Sequence, residues 1–120
     1  PYTTLFRSGL AAIYRDVKKD YDKTEELYRK AIKLDPQDAY PQNAMGQLYH
    51  YIYKNAAEAE PFFRKAVALD RTRGAYFANL SDCLFTLNRK DEALQMANRA
   101  ILLNYRNPNH PAFTKLGIKP

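Results

Sequence analysis

The segment Tyr28-Arg29-Lys30-Ala31-Ile32-Lys33-Leu34-Asp35 returns 35 residues later as Phe63-Arg64-Lys65-Ala66-Val67-Ala68-Leu69-Asp70. The aromatic, Arg-Lys, Ala, β-branched and Leu-Asp positions all stay in register. The same offset carries Ala11 to Gly46, Tyr14 to Tyr49 and Thr24 to Ala59. A further step of 34 takes Ala59 to Ala93, Ala66 to Ala100, Val67 to Ile101 and Leu69 to Leu103. A chain with this period stacks like units, each burying on its neighbour a face it cannot bury alone. With 120 residues, 46% apolar and 27% charged, the stack amounts to one ordered domain. The chain opens on Pro1 rather than Met, so a fragment or a processed product is expected.

Within each unit, apolar residues fall three and four apart in two runs, the spacing of one helix face. First helices are expected over Leu5–Val17, Ala39–Tyr53 and Ala75–Leu87, and second helices over Lys23–Leu34, Ala57–Leu69 and Asp91–Leu103. Glu25 and Glu26 stand four residues before Arg29 and Lys30, which pairs opposite charges on an exposed face. Asp35-Pro36 closes the first unit, because proline cannot donate the next helical hydrogen bond. Asp38 is a natural N-cap, and Pro41 falls in the following first turn, where a missing N–H costs little. Asn88 suits the left-handed conformation that ends a helix. Pro61 is expected to kink the fourth helix or to push its start to about Glu60.

Small residues recur where helices must approach: Ala11, Gly46 and Ser81 on the first helices, and Thr24, Ala59, Ala93, Ala31, Ala66 and Ala100 on the second. Leu10, Met45, Leu80, Tyr14, Tyr49, Leu84, Tyr28 and Phe63 fill the space between. This alternation, with the Tyr-Arg-Lys-Ala-Ile-Lys-Leu-Asp-Pro ending, resembles the tetratricopeptide repeat over about residues 5–104. The resemblance implies an all-α, right-handed α-solenoid of helix–turn–helix repeats. Three pairs are expected at about 5–36, 38–71 and 73–104 within a 1–104 domain, followed by a Pro-containing tail, 105–120. The first two units depart from the family by one extra residue, between Tyr14 and Thr24 and between Tyr49 and Ala59. The third has Ala97 in place of an aromatic and Tyr105 where proline is common. The tail, with Pro108, Pro111 and Pro120, shows no helical period and reads as extended. Phe113, Leu116 and Ile118 are its candidates for covering the last apolar face; otherwise the end stays uncapped and self-association through it is expected.

Little in the chain suits catalysis. A single cysteine, two histidines and four glycines supply neither a disulfide framework nor a metal cluster nor a phosphate loop, so no catalytic residue, metal site or cofactor is expected. Cys83 reads as a buried structural thiol, and His110 as solvated. No apolar run is long enough to span a membrane.

The resemblance instead implies binding of an extended peptide or partner helix in a concave groove lined by the first helices. Its register places Ser8, Ala12 and Arg15, then Tyr40, Asn43, Gln47, His50 and Tyr51, then Ala78, Asp82 and Phe85 along that groove. Tyr40, Tyr51 and Phe85 are the expected apolar anchors, and Asn43, Gln47 and His50 the directional hydrogen-bonding groups. Chaperone-binding members of the family hold a C-terminal carboxylate with Lys, Asn and Arg side chains. The matching positions here are Arg7, Ala11, Ala44, Ala75 and Asn79, and only Arg7 serves directly, so binding of a chaperone tail is not expected. Nineteen Lys and Arg against thirteen Asp and Glu give a net charge of +6. That keeps a nucleic-acid partner as the alternative, through Lys18, Lys19, Lys23, Arg29/Lys30, Arg64/Lys65 and Arg99. The 35-residue spacing also resembles that of the RNA-reading pentatricopeptide repeat. Several of these cations have acidic neighbours one turn away, which favours a salt-bridged outer face. An assembly or spacer role in a larger protein is the third reading.

Overall fold

The computed structural model describes residues 4–120, which hold helices and no strand; residues 1–3 of the expected 1–104 unit lie outside it. The helices are α1 (Thr4–Ile13), α2 (Tyr21–Leu34), α3 (Ala39–Gln47), α4 (Ala56–Leu69), α5 (Gly74–Thr86), α6 (Lys90–Leu102) and α7 (Pro111–Leu116). Consecutive helices pack as the hairpins α1–α2, α3–α4 and α5–α6, and each hairpin stacks on the next through α2–α3 and α4–α5. The result is a right-handed α-solenoid measuring 43 × 25 × 22 Å.

The extra residue in the first two units has a definite structural fate. Tyr14–Lys18 after α1 and Leu48–Ile52 after α3 are π-helical turns. In the second, the Tyr53 amide reaches back five residues to the Leu48 carbonyl at 3.0 Å. Widening the turn absorbs one residue without shifting the next helix. Lys19 and Lys54 then take the left-handed conformation at φ 55°. The third unit lacks the extra residue and keeps α-helical bonding, Leu87 N–H to Cys83 C=O at 3.1 Å, before Asn88 turns left-handed at φ 61°.

Two of the second helices start on side-chain caps, Asp20 accepting from the Lys23 amide and Asn55 from the Glu58 amide, while α6 starts at Arg89 without one. Asp38 caps α3 through the Tyr40 amide. Pro61 does not delay α4, which runs from Ala56 through the proline to Leu69. The small residues of the repeat lie at the helix contacts. Ala11, Thr24, Ala31, Ala59, Ala66, Ala93 and Ala100 are all fully buried. Two core clusters result, one around Tyr28, Met45 and Leu48, the other around Phe63, Phe77, Leu80 and Leu84, with Tyr49 packed on both.

The tail corrects the sequence reading. It is not extended: Pro111–Leu116 is helical, capped at its start by His110 and ended by Gly117 at φ 70°. Pro111 is a helix-starting residue here, since the first turn needs no N–H from it. Six residues are too few to show a period, which is why the sequence conceals this helix. Phe113 is 0% exposed within the second cluster, and Leu116 and Ile118 pack beside it. The C-terminal end is therefore capped, and self-association through an uncapped end loses its premise. His110, expected in solvent, is buried.

Candidate functional site

Of the expected groove residues, Arg15, Gln47 and Tyr51 border one cleft, and His50, Tyr51 and Asp82 border a second together with Lys115 of α7. The π-turn after α3 directs two consecutive side chains to one acceptor, because a wider turn rotates neighbouring residues less than an α-helix does. His50 Nε2 lies 3.0 Å from Asp82 Oδ2, and the Tyr51 hydroxyl donates to the same oxygen at 2.8 Å. Lys115 Nζ of α7 donates to the other oxygen at 2.7 Å. Asp82 is 0% exposed. Burial alone would raise its carboxyl pKa, but the hydrogen bonds from His50, Lys115 and Tyr51 together outweigh burial and hold it well below the usual carboxylate range. An ionised carboxylate only accepts, so His50 carries its proton on Nε2 and its buried Nδ1 is left without a partner. Burial, reinforced by Asp82, pushes the Tyr51 phenol pKa far above normal, so it remains a donor.

A second chain of hydrogen bonds runs parallel. The Ala112 amide donates to His110 Nδ1 at 3.1 Å, which places the proton on Nε2; Nε2 then donates to Asn79 Oδ1 at 2.8 Å. Asn79 Nδ2 in turn donates to Asn43 Oδ1 at 3.1 Å. Tail, third unit and second unit are thus linked through neutral side chains. Burial lowers the His110 pKa.

The expected site residues therefore divide into two sets. Asn43, His50 and Asp82 are buried and engaged with other side chains of the chain itself. Phe85 is half-buried against the second core cluster. Tyr40 is 42% exposed, while Gln47 and Tyr51 are half-buried. Arg15 donates to the Tyr28 hydroxyl at 3.0 Å and pairs with Asp16 at 2.7 Å. Around Arg15, Gln47, Leu48, Tyr51 and Ile52 opens a cleft of about 270 Å³. It is smaller than the roughly 300–1,000 Å³ of small-molecule sites. Asn79, His110 and Lys115 were missed as contributors. A third step of 34 carries Ala78 to Ala112 but Asn79 to the unlike Phe113, too little to place the tail beside α5 from the sequence.

On the outer face several of the cations are paired. Arg29 meets Glu25 at 3.6 Å, Lys30 meets Glu26 at 3.4 Å, and Arg64 and Arg89 share Glu60 and Glu92 at 2.7–3.0 Å. Cys83 is buried with Sγ 3.2 Å from the Ala56 carbonyl, and burial pushes its pKa up to about 12, too high for a nucleophile at neutral pH. Among the described residues no cluster of His, Cys, Asp and Glu could hold a metal, and no helix is long and apolar enough to cross a membrane.

The sequence pattern of the tetratricopeptide repeat matches residues 9–38 and 75–107, together just over half of the chain. The first TPR domain of Spaghetti (RPAP3), solved bound to the HSP90 peptide SRMEEVD, is 24% identical across 96% of this chain and 88% of its own, with a TM-score of 0.82. MamA is 28% identical with a TM-score of 0.81; the alignment covers 95% of this chain but only 60% of MamA. The N-terminal domain of stress-induced protein-1 (STI-1) from C. elegans is 24% identical across 95% of this chain and 91% of its own, with a TM-score of 0.74. No curated protein sequence matches the chain. The expectation against a chaperone tail gains no support from these neighbours, the first of which holds an HSP90 peptide.

Proposed function

The chain belongs to the tetratricopeptide repeat family, and on that premise we propose that it is a non-enzymatic protein-interaction scaffold that holds a peptide or partner helix along its inner face. The observation that carries this reading is the cleft between the first and second units, where Gln47, Tyr51 and Arg15 surround an open space and Tyr40 stands exposed nearby. Tyrosine supplies a broad apolar surface with a polar tip at little conformational cost. Gln47 supplies both a donor and an acceptor for a peptide backbone. Asn43, His50 and Asp82 are already engaged with other side chains of the chain, and Phe85 is half-buried on the core, so none of the four carries the reading. A fold shared at this level of identity does not transfer a ligand, so the HSP90 peptide enters as a probe.

The test is affinity capture on the whole chain, with nuclease treatment, comparing wild type with a Tyr51→Ala, Gln47→Ala double variant. SRMEEVD is titrated separately against both proteins. A partner held by the wild type and lost by the variant, with an affinity that varies little with salt, is expected. Equal capture by both proteins moves the contact off the inner face. Binding that disappears with nuclease, or falls steeply with salt as phosphate contacts do, replaces this reading with the nucleic-acid one.

A further inference from the structure

We propose that the segment His110–Ile118 is a built-in occupant of the third-unit end of the groove, and that this end takes from a partner what the segment now supplies: a short helix with an aromatic residue followed two positions later by a lysine or arginine. The inference rests on the inner-face reading above and specifies the chemistry and regulation of one end of it.

Asp82 is the centre of the site. It is fully buried, and of its three donors His50 and Tyr51 come from the π-turn after α3, while Lys115 comes from the tail. Lys115 is the donor of the three that belongs to the tail, and it alone serves Oδ1. The Lys115 side chain is 41% exposed and its partner's 0%, so the lysine moves to water at little cost while the carboxylate is left short of a countercharge. Any incoming cation that reaches Oδ1 restores the balance. Two positions before Lys115, Phe113 fills an apolar socket with its ring near those of Tyr105 and His110, at 6.2 and 6.1 Å. Phe113 and Lys115 are thus a paired apolar and cationic contact two residues apart.

The segment is joined to the third unit by an exposed link, Arg106–Asn109, that follows the left-handed Asn104. Beside it a cavity of about 390 Å³, bordered by His50, Tyr51, Lys54, Thr86 and Lys115, lies between the tail and the π-turn. The unpartnered Nδ1 of His50, on a side chain more than nine-tenths buried, offers a hydrogen-bonding atom that the tail does not use. A longer partner helix has both space and a hydrogen-bonding group there. The charge preference is the reverse of a carboxylate-binding groove, since a buried carboxylate repels an acidic ligand at this end.

The experiment uses the full chain. Lys115→Ala alters a partly exposed side chain and leaves the core intact. Amides of residues 112–118 are expected to exchange faster by on the order of tenfold, the lower end for loss of a hydrogen bond to a charged group, with α5 amides unchanged. A labelled peptide copying residues 108–118 is expected to bind the Lys115→Ala chain about tenfold more tightly than wild type. The same peptide with its lysine replaced by alanine, and SRMEEVD, are expected not to compete. Adding Asp82→Asn is expected to abolish the gain, with circular dichroism establishing that the double variant folds; Lys115→Glu, which leaves Asp82 in place, is expected to release the segment further. Unchanged exchange in both Lys115 variants overturns the occupant, and peptide binding indifferent to its lysine overturns the cation preference. Tyr51 also donates to Asp82, but exchange of residues 112–118 in the Lys115 variants leaves the Arg15 and Gln47 cleft unaltered, so failure of these readouts leaves the inner-face reading standing. Retention of a partner by the Tyr51→Ala, Gln47→Ala variant removes the inner-face reading instead, whatever the exchange of the Lys115 variants shows.

Discussion

A Cβ at Gly46 would stand 2.5 Å from Cδ1 and Cε1 of Phe63, closer than any relaxed contact allows. Phe63 is itself fully buried, so its ring has nowhere to go. At Gly9, on the exposed side of α1, nothing lies within 4 Å of the same Cβ. One substitution at the two sites should therefore have opposite signs. Gly46→Ala is expected to destabilise by about 1–3 kcal/mol through overpacking, against a helix-propensity gain of at most about 1 kcal/mol. Gly9→Ala is expected to keep that gain. Urea unfolding of both variants checks the pair, and equal shifts would mean that Phe63 yields. The repeat marks position 46 as small in the sequence, through Ala11 and Ser81. It does not say that the ring pressing on it is that of Phe63, from the facing helix of the same hairpin.

The short helix α7 depends on one protonation state. His110 accepts the Ala112 amide at Nδ1 and donates from Nε2 to Asn79, so only the neutral ring does both. Burial lowers its pKa in the docked tail; Asp82 opposes that shift, and Lys115 and His50 add to it. In an undocked tail the ring titrates near its ordinary value of about 6.5. The docked state thus binds fewer protons. Its stabilising share is complete above about pH 6.5 and is lost as pH falls through that value towards the docked pKa. Asp82, held well below the carboxylate range, stays ionised throughout. Amide exchange of 112–118 is expected to quicken between about pH 7.5 and about pH 5.5, after correction for intrinsic rates. His110→Asn, which still caps a helix, is expected to remove that dependence. A dependence that survives in His110→Asn would place the titration elsewhere. The positions of α1 to α6 and the Asp38 cap were legible element by element, because capping residues and apolar spacing are local; α7 and the caps Asp20, Asn55 and His110 were not. The π-turns were legible as one surplus residue each, but not as π-turns, since a surplus residue can also lengthen a loop.

Across the whole molecule the units are not equally supported. Among the described residues the third is packed between α4 and α7, whereas the first packs on the second alone and leaves Ile13 and the 75%-exposed Val17 facing solvent. In a solenoid the stability of a unit is its own plus that of its interfaces. Amides of α1 and α2 are therefore expected to exchange before those of α5 and α6 in mild denaturant, as measured by mass spectrometry. Simultaneous exchange of all three units would show a single cooperative block instead. The exposed ion pairs of α2 and α4 contribute little to this ranking, because solvent and salt screen them.

The sequence by itself determined the period, the three hairpins, the small-and-large alternation at their contacts and the family. Each is carried by residues three or four apart, or by like residues one repeat apart, and so survives in a linear string. Only the tertiary structure decided which polar groups of the groove are already engaged. The bonds from His50, Tyr51 and Lys115 to Asp82, and from Asn79 to Asn43 and His110, join residues 31 to 36 apart. Whether those side chains meet depends on how closely α3, α5 and α7 approach and on how the π-turn rotates His50 and Tyr51. Neither quantity is a property of any one segment, which is why a tail of prolines, one phenylalanine and a lysine reads as loose chain until it is packed against α5.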